Sequence, residues 1–322
     1  MSDRADQIPE TALDWHRTGQ GAVLATVTQT WGSAPRRVGA QLAISGGGAM
    51  VGSVSGGCVE GAVITEALDA LDDGGARHLE FGISDDDAFA VGLACGGTIK
   101  VLVEPVGAVL PEQTLADLCS ARADRTPIAY VADLAQGTRR LETSGHGDRM
   151  RRDQSGFVDD STFVAIHNPP LRLVVVGAVH IAQALVPMAR LVGYDPVVID
   201  PREAFASSQR FPDTRLMHDW PDDAVAALGV DARTAVVLLT HDPKLDDPAL
   251  NQALHADCFY IGALGSKRTH AARAARLRAH GLSDDQIARI HGPVGLDIGA
   301  ASPAEIAVSI LAEMTQSLRR GA

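Results

Sequence analysis

At 322 residues the chain is long enough for two domains that each bury a core. Its 46% hydrophobic and 21% charged residues are the balance of a soluble globular protein, and a net charge of −12 leaves no basic face for general nucleic-acid binding. No run approaches the roughly 18 apolar residues of a membrane span, so none is expected. Met1–Glu10 is polar and acidic without a basic-then-apolar leader pattern, and the expected location is the cytoplasm. Cys58, Cys95, Cys119 and Cys258 are widely spaced and form no CxxC pair; in a reducing compartment they are expected as thiols.

In chain order, a helix is expected over Glu10–Thr18 and a Val- and Thr-rich strand over Ala22–Gln29, ending at the Gly/Pro-containing Trp31–Pro35. A second strand over Gln41–Ile44 runs into Ser45–Gly48. The small-residue stretch Met50–Cys58 then leads to a helix over Val59–Asp72, with Val63, Ala67, Leu68 and Leu71 at helical spacing. Another glycine loop, Leu93–Gly97, precedes a strand over Thr98–Glu104. From Glu112 to Asn168 the pattern is weaker, with strand-like Ile128–Ala132 and Ser161–Ile166 around a polar stretch. His167-Asn-Pro-Pro170 marks the boundary, because paired prolines continue neither a helix nor a central strand.

Beyond Leu171 the pattern changes to continuous apolar strands joined through helices: Leu171–Val176, a helix over Ile181–Leu191, then Pro196–Ile199, Ala235–Thr240 and Phe259–Ala263. Such runs indicate a parallel sheet covered on both faces. Ser302-Pro-Ala-Glu305 opens the last helix as a capping box with proline at its first position. The fold class is therefore α/β: an N-terminal α+β domain over 1–168 that includes a β-rich connecting segment, then a Rossmann-like parallel-sheet domain over 169–322.

Gly177-Ala-Val-His-Ile-Ala182 follows the first strand of the second half as a near match to a dinucleotide-binding turn, and Asp200 closes the next strand at about the usual spacing of ~20 residues. Gly177 and His180 would present backbone N–H groups and a helix N-terminus to a phosphate, with Asp200 accepting from a ribose diol. Val179 stands where the middle glycine belongs, and its branched side chain is expected to obstruct a pyrophosphate. Three further loops leave strand C-termini: Thr240-His241-Asp242-Pro243, Gly262–Arg268 and Gly292–Gly299. Ser266, Lys267 and Arg268 form a phosphate-binding candidate, His241 a titrating or ligand-binding one, and Asp242 either a ligand contact or a helix cap. Asp297 is expected to hydrogen-bond within its own loop.

Two loops set a thiol beside paired glycines: Gly56-Gly57-Cys58 and Cys95-Gly96-Gly97. Glycines permit positive φ and close approach of a bulky partner. A thiol at the start of the Val59–Asp72 helix would feel the positive end of its dipole, and thiolate is the form that attacks sulfur or ligates a soft metal. The alternative is packing, which is common for free cysteine and is the expectation for Cys119 and Cys258. No cluster has zinc spacing.

Together, Thr30–Arg36, Gly52–Glu60, Leu93–Gly97, Gly177–His180, Thr240–Asp242, Tyr260–Arg268 and Pro293–Ala300 resemble the XdhC/CoxI family of accessory proteins for molybdenum hydroxylases, across about Trp15–Leu318. The resemblance implies a chaperone without turnover of its own. It would bind the molybdenum cofactor, a pterin carried with or without a nucleotide, and protect it while a cysteine desulfurase replaces a terminal oxo group by sulfur. It would then deliver the cofactor to an apo-molybdenum hydroxylase such as xanthine dehydrogenase. Cys95 and then Cys58 are the residues expected to contact the metal or carry sulfur, with the cofactor's phosphate or nucleotide in the crevice near Lys267 and Arg268. The departure from the family pattern is Val179. Two other readings remain open: an NAD(P)-dependent oxidoreductase with the first domain as substrate lid, and a regulatory protein sensing a nucleotide. A homodimer is compatible with the sequence, though no residue indicates one.

Overall fold

The computed structural model describes residues 7–32, 36–82 and 97–320. The chain divides into two compact units, 1–169 and 170–322.

The first unit runs α1 (Ile8–Arg17), β1 (Ala22–Trp31), β2 (Gln41–Ser45), β3 (Met50–Gly52), α2 (Glu60–Asp73), β4 (Arg77–Phe81), β5 (Thr98–Pro105), α3 (Glu112–Ala123), β6 (Ile128–Asp133), β7 (Thr138–Glu142), α4 (Gly147–Arg152), β8 (Gly156–Phe157) and β9 (Thr162–His167). Its five-stranded sheet has the order β3-β2-β1-β5-β4, and every pairing is antiparallel. Alternation along β1 explains why both faces are buried. Val23, Ala25 and Val27 join Val63, Ala67 and Ala70 of α2 in one core, while Ala22 and Leu24 face a second core with α1, α3, β6 and β9. The four-stranded sheet, order β7-β6-β9-β8, supplies Tyr130 and Phe163 to that second core. α2 stops at Gly74, whose φ of 72° is the left-handed turn glycine supports at a helix end.

The second unit runs β10 (Leu171–Val176), α5 (His180–Leu191), β11 (Tyr194–Ile199), β12 (Arg215–Met217), α6 (Pro221–Leu228), β13 (Thr234–Leu238), α7 (Pro243–His255), β14 (Tyr260–Ala263), α8 (Lys267–Ala279), α9 (Asp284–Ala288), β15 (Ile290–His291) and α10 (Pro303–Arg320). The strand order β12-β11-β10-β13-β14-β15 with all-parallel pairing is the doubly wound Rossmann arrangement expected from the apolar runs. Alternate residues of β10 serve opposite cores: Leu171, Leu173 and Val175 pack with α5 and α10, and Val174 and Val176 with α6 and α7. The capping box forms, with Glu305 accepting from the Ala301 and Ser302 N–H groups at 2.8 Å and donating its own N–H to Ser302 Oγ at 3.3 Å. Among the described residues no helix is long and apolar enough to cross a membrane.

Candidate functional site

Strand register fixes where the segments that flank the glycine motifs of the first unit leave its sheet. Trp31 pairs with Thr98 and Phe81 with Ile99, so β1 and β4 finish, and β5 begins, at the same end; β3 runs in the same direction as β1 but stops at Gly52, opposite Leu42, which pairs with Ala25. The loop after β3 carries Gly56, Gly57 and Cys58, and Gly97, buried, leads into β5. Cys95 and Gly96 lie outside the described residues.

The loop bearing Cys58 folds around Glu60. Glu60 Oε1 accepts from Ser53 Oγ (2.7 Å) and from the N–H groups of Val54 (3.2 Å), Ser55 (2.9 Å) and Gly56 (3.1 Å). Oε2 accepts from the Gly57 N–H at 2.9 Å and from the Ser55 hydroxyl. Gly56 and Gly57 take φ of 78° and 115°, which turns successive N–H groups inward and suits only glycine. Burial opposes ionisation of Glu60, but the Ser55 and Ser53 hydroxyls and the backbone N–H groups outweigh it and hold the carboxyl at about 2. Cys58 stays exposed at the rim of this turn, just ahead of α2. The expected dipole contact is thus modified: the carboxylate of Glu60 meets the positive end of α2 beside the thiol. Sequence reasoning misses Glu60 although it sits inside a recognised motif; an acid in the first helical turn after Ser-Gly-Gly is the available signal.

Cys119 and Cys258 are packing residues. Burial pushes each thiol up to about 12, and both sit against apolar clusters.

In the second unit the crevice opens where the chain reverses between β10 and β13. Gly177 has φ +105°, and a Cβ there would stand 2.5 Å from Thr240 Cγ2 and 3.3 Å from the Thr240 N. Glycine lets the turn and the Thr240–Asp242 loop touch, so the two predicted segments meet. Gly177→Ala is expected to cost about 2–3 kcal/mol through strain and that clash, read by urea unfolding; an unchanged midpoint would contradict the close approach. Val179 caps α5 in an extended conformation and packs, half-buried, against the α5 core. His180 is exposed at the first position of α5.

Asp200 requires a correction. It is wholly buried, and its oxygens are saturated within the chain: Oδ2 accepts from the Ala178 N–H (2.9 Å) and Arg202 Nη2 (2.7 Å), Oδ1 from the Arg202 N–H (3.0 Å) and Nε (2.8 Å). Burial alone would raise its pKa, but Arg202 and these backbone donors hold it below the usual carboxylate range. Four donors on two oxygens leave no acceptor for a ribose diol. Spacing reveals the acid but not Arg202, two residues on.

Asp242 caps α7, accepting from the Lys244 N–H at 2.9 Å, and His241 is exposed beside it at φ 61°. Ser266 caps α8 through the Thr269 N–H at 3.2 Å, which leaves Lys267 and Arg268 exposed in the first turn. Beneath these loops lies a buried polar layer that sequence reasoning misses. Thr240 donates to Asp246 Oδ1 at 2.5 Å, and Arg273, 2% exposed, donates to the Leu264 carbonyl at 2.9 Å with Asp246 Oδ2 3.6 Å away. Farther along, Glu313 accepts from Tyr260 Oη at 2.5 Å and the Gly295 N–H at 2.7 Å, with His291 Nδ1 at 3.1 Å, fixing the third loop. These partners are 18–53 residues apart and carry no local signal. Among the described residues no group of three or more His, Cys, Asp or Glu is arranged to hold a metal ion.

Fold and site define a two-unit protein: an antiparallel α+β unit presenting an exposed thiol on a glycine turn, and a parallel-sheet Rossmann unit. Residues 173–314 match the XdhC Rossmann domain and residues 15–82 the XdhC and CoxI family. The chain is 32% identical to the molybdenum cofactor insertion chaperone PaoD of Escherichia coli (strain K12), across 98% of this chain and 89% of that one. It is 29% identical to a probable xanthine dehydrogenase subunit of Bacillus subtilis (strain 168), across 93% and 94%. A crystal structure described as a xanthine dehydrogenase from Bacillus halodurans superposes with a TM-score of 0.73 at 29% identity, covering 99% of this chain and 96% of that one. The chain belongs to the XdhC/CoxI family.

Proposed function

We propose that this protein is a cytoplasmic molybdenum-cofactor chaperone. It holds the cofactor, protects it during sulfuration by a cysteine desulfurase, and delivers it to an apo-molybdenum hydroxylase of the xanthine dehydrogenase type. The observation that carries this reading is the exposed thiol of Cys58 on a turn locked to Glu60, in a chain whose relative along nearly its whole length is named a molybdenum cofactor insertion chaperone. A thiol is a soft donor suited to molybdenum or to transient carriage of sulfur. Positive φ at Gly56 and Gly57 keeps bulk away from its approach. Cys95, on the other glycine loop, is the second thiol of this reading. The phosphate or nucleotide end of the cofactor would be met by Lys267 and Arg268 at the head of α8.

In this role the residues bind and shield, and the chemistry belongs to the cargo and its partner enzymes. The test is reconstitution: cofactor-loaded protein is mixed with an apo-hydroxylase and turnover is followed. Wild type is expected to restore activity, and Cys58→Ser and Cys95→Ser to lower the restored rate by about tenfold or more, in line with loss of a metal contact. Equal restoration by both variants would overturn the thiol assignment.

A further inference from the structure

Arg202 does more than neutralise Asp200. Its Nε and Nη2 are spent on the two carboxylate oxygens, at 2.8 and 2.7 Å, and its plane lies over the Phe205 ring, 4.1 Å from the centroid. The guanidinium is therefore fixed along one edge and supported on one face, yet its side chain remains 43% exposed. No hydrogen bond engages Nη1 among the described residues. Phe205, itself 41% exposed, carries the Arg202 guanidinium over its ring, with Arg210 Cζ 5.7 Å from the same centroid. Arg210 anchors the loop to the glycine turn: its Nη1 donates to the carbonyls of Ala178 (2.8 Å) and Phe205 (2.5 Å), and its Nη2 to Gln183 Oε1 (3.1 Å).

The position gives these groups a meaning. The end of β11, beside the turn after β10, is where a Rossmann sheet meets the ribose of a nucleotide. A free acid there selects an unmodified diol; an arginine accommodates a ribose phosphate. Here the acid is saturated and the arginine retains donors and an open face, and guanidinium planes both bind phosphate and stack on heteroaromatic rings. α5 begins without a side-chain cap, so its first N–H groups remain for a 5′-phosphate. The other acid whose charge Arg202 feels is Asp242, across the crevice, and its carboxylate is engaged in capping α7.

We propose that the crevice binds a purine nucleotide whose ribose carries an additional phosphomonoester, with Arg202 as the phosphate-binding residue and the platform for the base. The site goes beyond the molybdenum-cofactor reading and does not rest on it, because binding is read with nucleotide alone. The experiment is isothermal titration of protein from a host unable to make the cofactor, using the probe pairs NADP⁺ against NAD⁺ and 2′,5′-ADP against 5′-AMP. The ribose-phosphorylated member of each pair is expected to bind about tenfold more tightly or better. Arg202→Gln is expected to bring each pair to parity. Arg202→Lys, which keeps a positive charge over buried Asp200 and so guards the fold, is expected to give an intermediate preference; thermal unfolding of both variants checks that they are folded. Equal affinities in wild type, absence of binding by both pairs at millimolar concentration, or a preference that survives in both variants would overturn the assignment.

Discussion

Glu60→Ala is expected to destabilise the first unit by about 3 kcal/mol, because the loss strands the buried donors of Val54 and Ser55 while water replaces only the partners of exposed Gly56 and Gly57. Urea unfolding reads the change, and a difference below about 0.5 kcal/mol would show that the loop does not need its carboxylate. The same contact dictates a pH dependence. The Glu60 carboxyl is held at about 2 against an ordinary 4.5, so the unfolded chain binds the proton more readily between those values. Its contribution is complete above pH 4.5 and is lost as the pH falls towards 2. His167 adds to this from higher pH. Burial, with Arg122 nearby, pushes it down to about 3 from 6.5, so the folded unit also loses stability as the pH falls from 6.5. Glu60→Gln should flatten the lower limb of the stability curve and His167→Gln the upper; a wild-type curve flat from pH 7 to about 3 would contradict both assignments.

Arg139→Ala is expected to cost about 3–5 kcal/mol, the scale for stranding one partner of a buried ion pair. Glu104, on β5, is wholly buried and faces the second sheet, where Tyr130 Oη donates to it at 2.9 and 3.0 Å and Arg139 Nε, on β7, donates to Oε1. Burial pushes the Glu104 carboxyl up even with Arg139 beside it, so without the arginine it would be held protonated or the sheets would part. The double variant Glu104→Gln, Arg139→Met removes both charges and should recover most of the loss. A double variant as unstable as Arg139→Ala alone would mean that packing, not charge pairing, joins the sheets.

Arg139 also shows why part of the fold escapes the sequence. β7 is an edge strand reading Thr-Arg-Arg-Leu-Glu, and its inward arginine breaks the apolar alternation that identifies strands. α3 buries only Leu115 and Leu118, and α4 buries nothing, so neither shows a helical stripe. The Rossmann unit is legible because β10, β11 and β13 are buried almost throughout and read as predominantly apolar runs, interrupted by Arg172 in β10 and Asp195 in β11. The site divides the same way. Gly177, Asp200, Cys58 and the glycine pairs announce themselves by type and spacing. What Asp200 does depends on Arg202 folding back onto it, and whether Val179 obstructs depends on where its side chain packs. Spacing specifies neither. The Glu60 turn is an intermediate case, local enough to be read but visible only once its N–H groups are seen to converge.

Whether this chain holds the molybdenum cofactor is tested most directly by isolating it from a host that makes the cofactor and from one that cannot. Molybdenum and the fluorescent oxidation product of the pterin are then measured in both preparations. Both analytes are expected to copurify with the chain from the first host, in equal amounts, and neither from the second. Protein from the producing host that carries neither molybdenum nor pterin, while remaining folded, would contradict a cofactor-holding role.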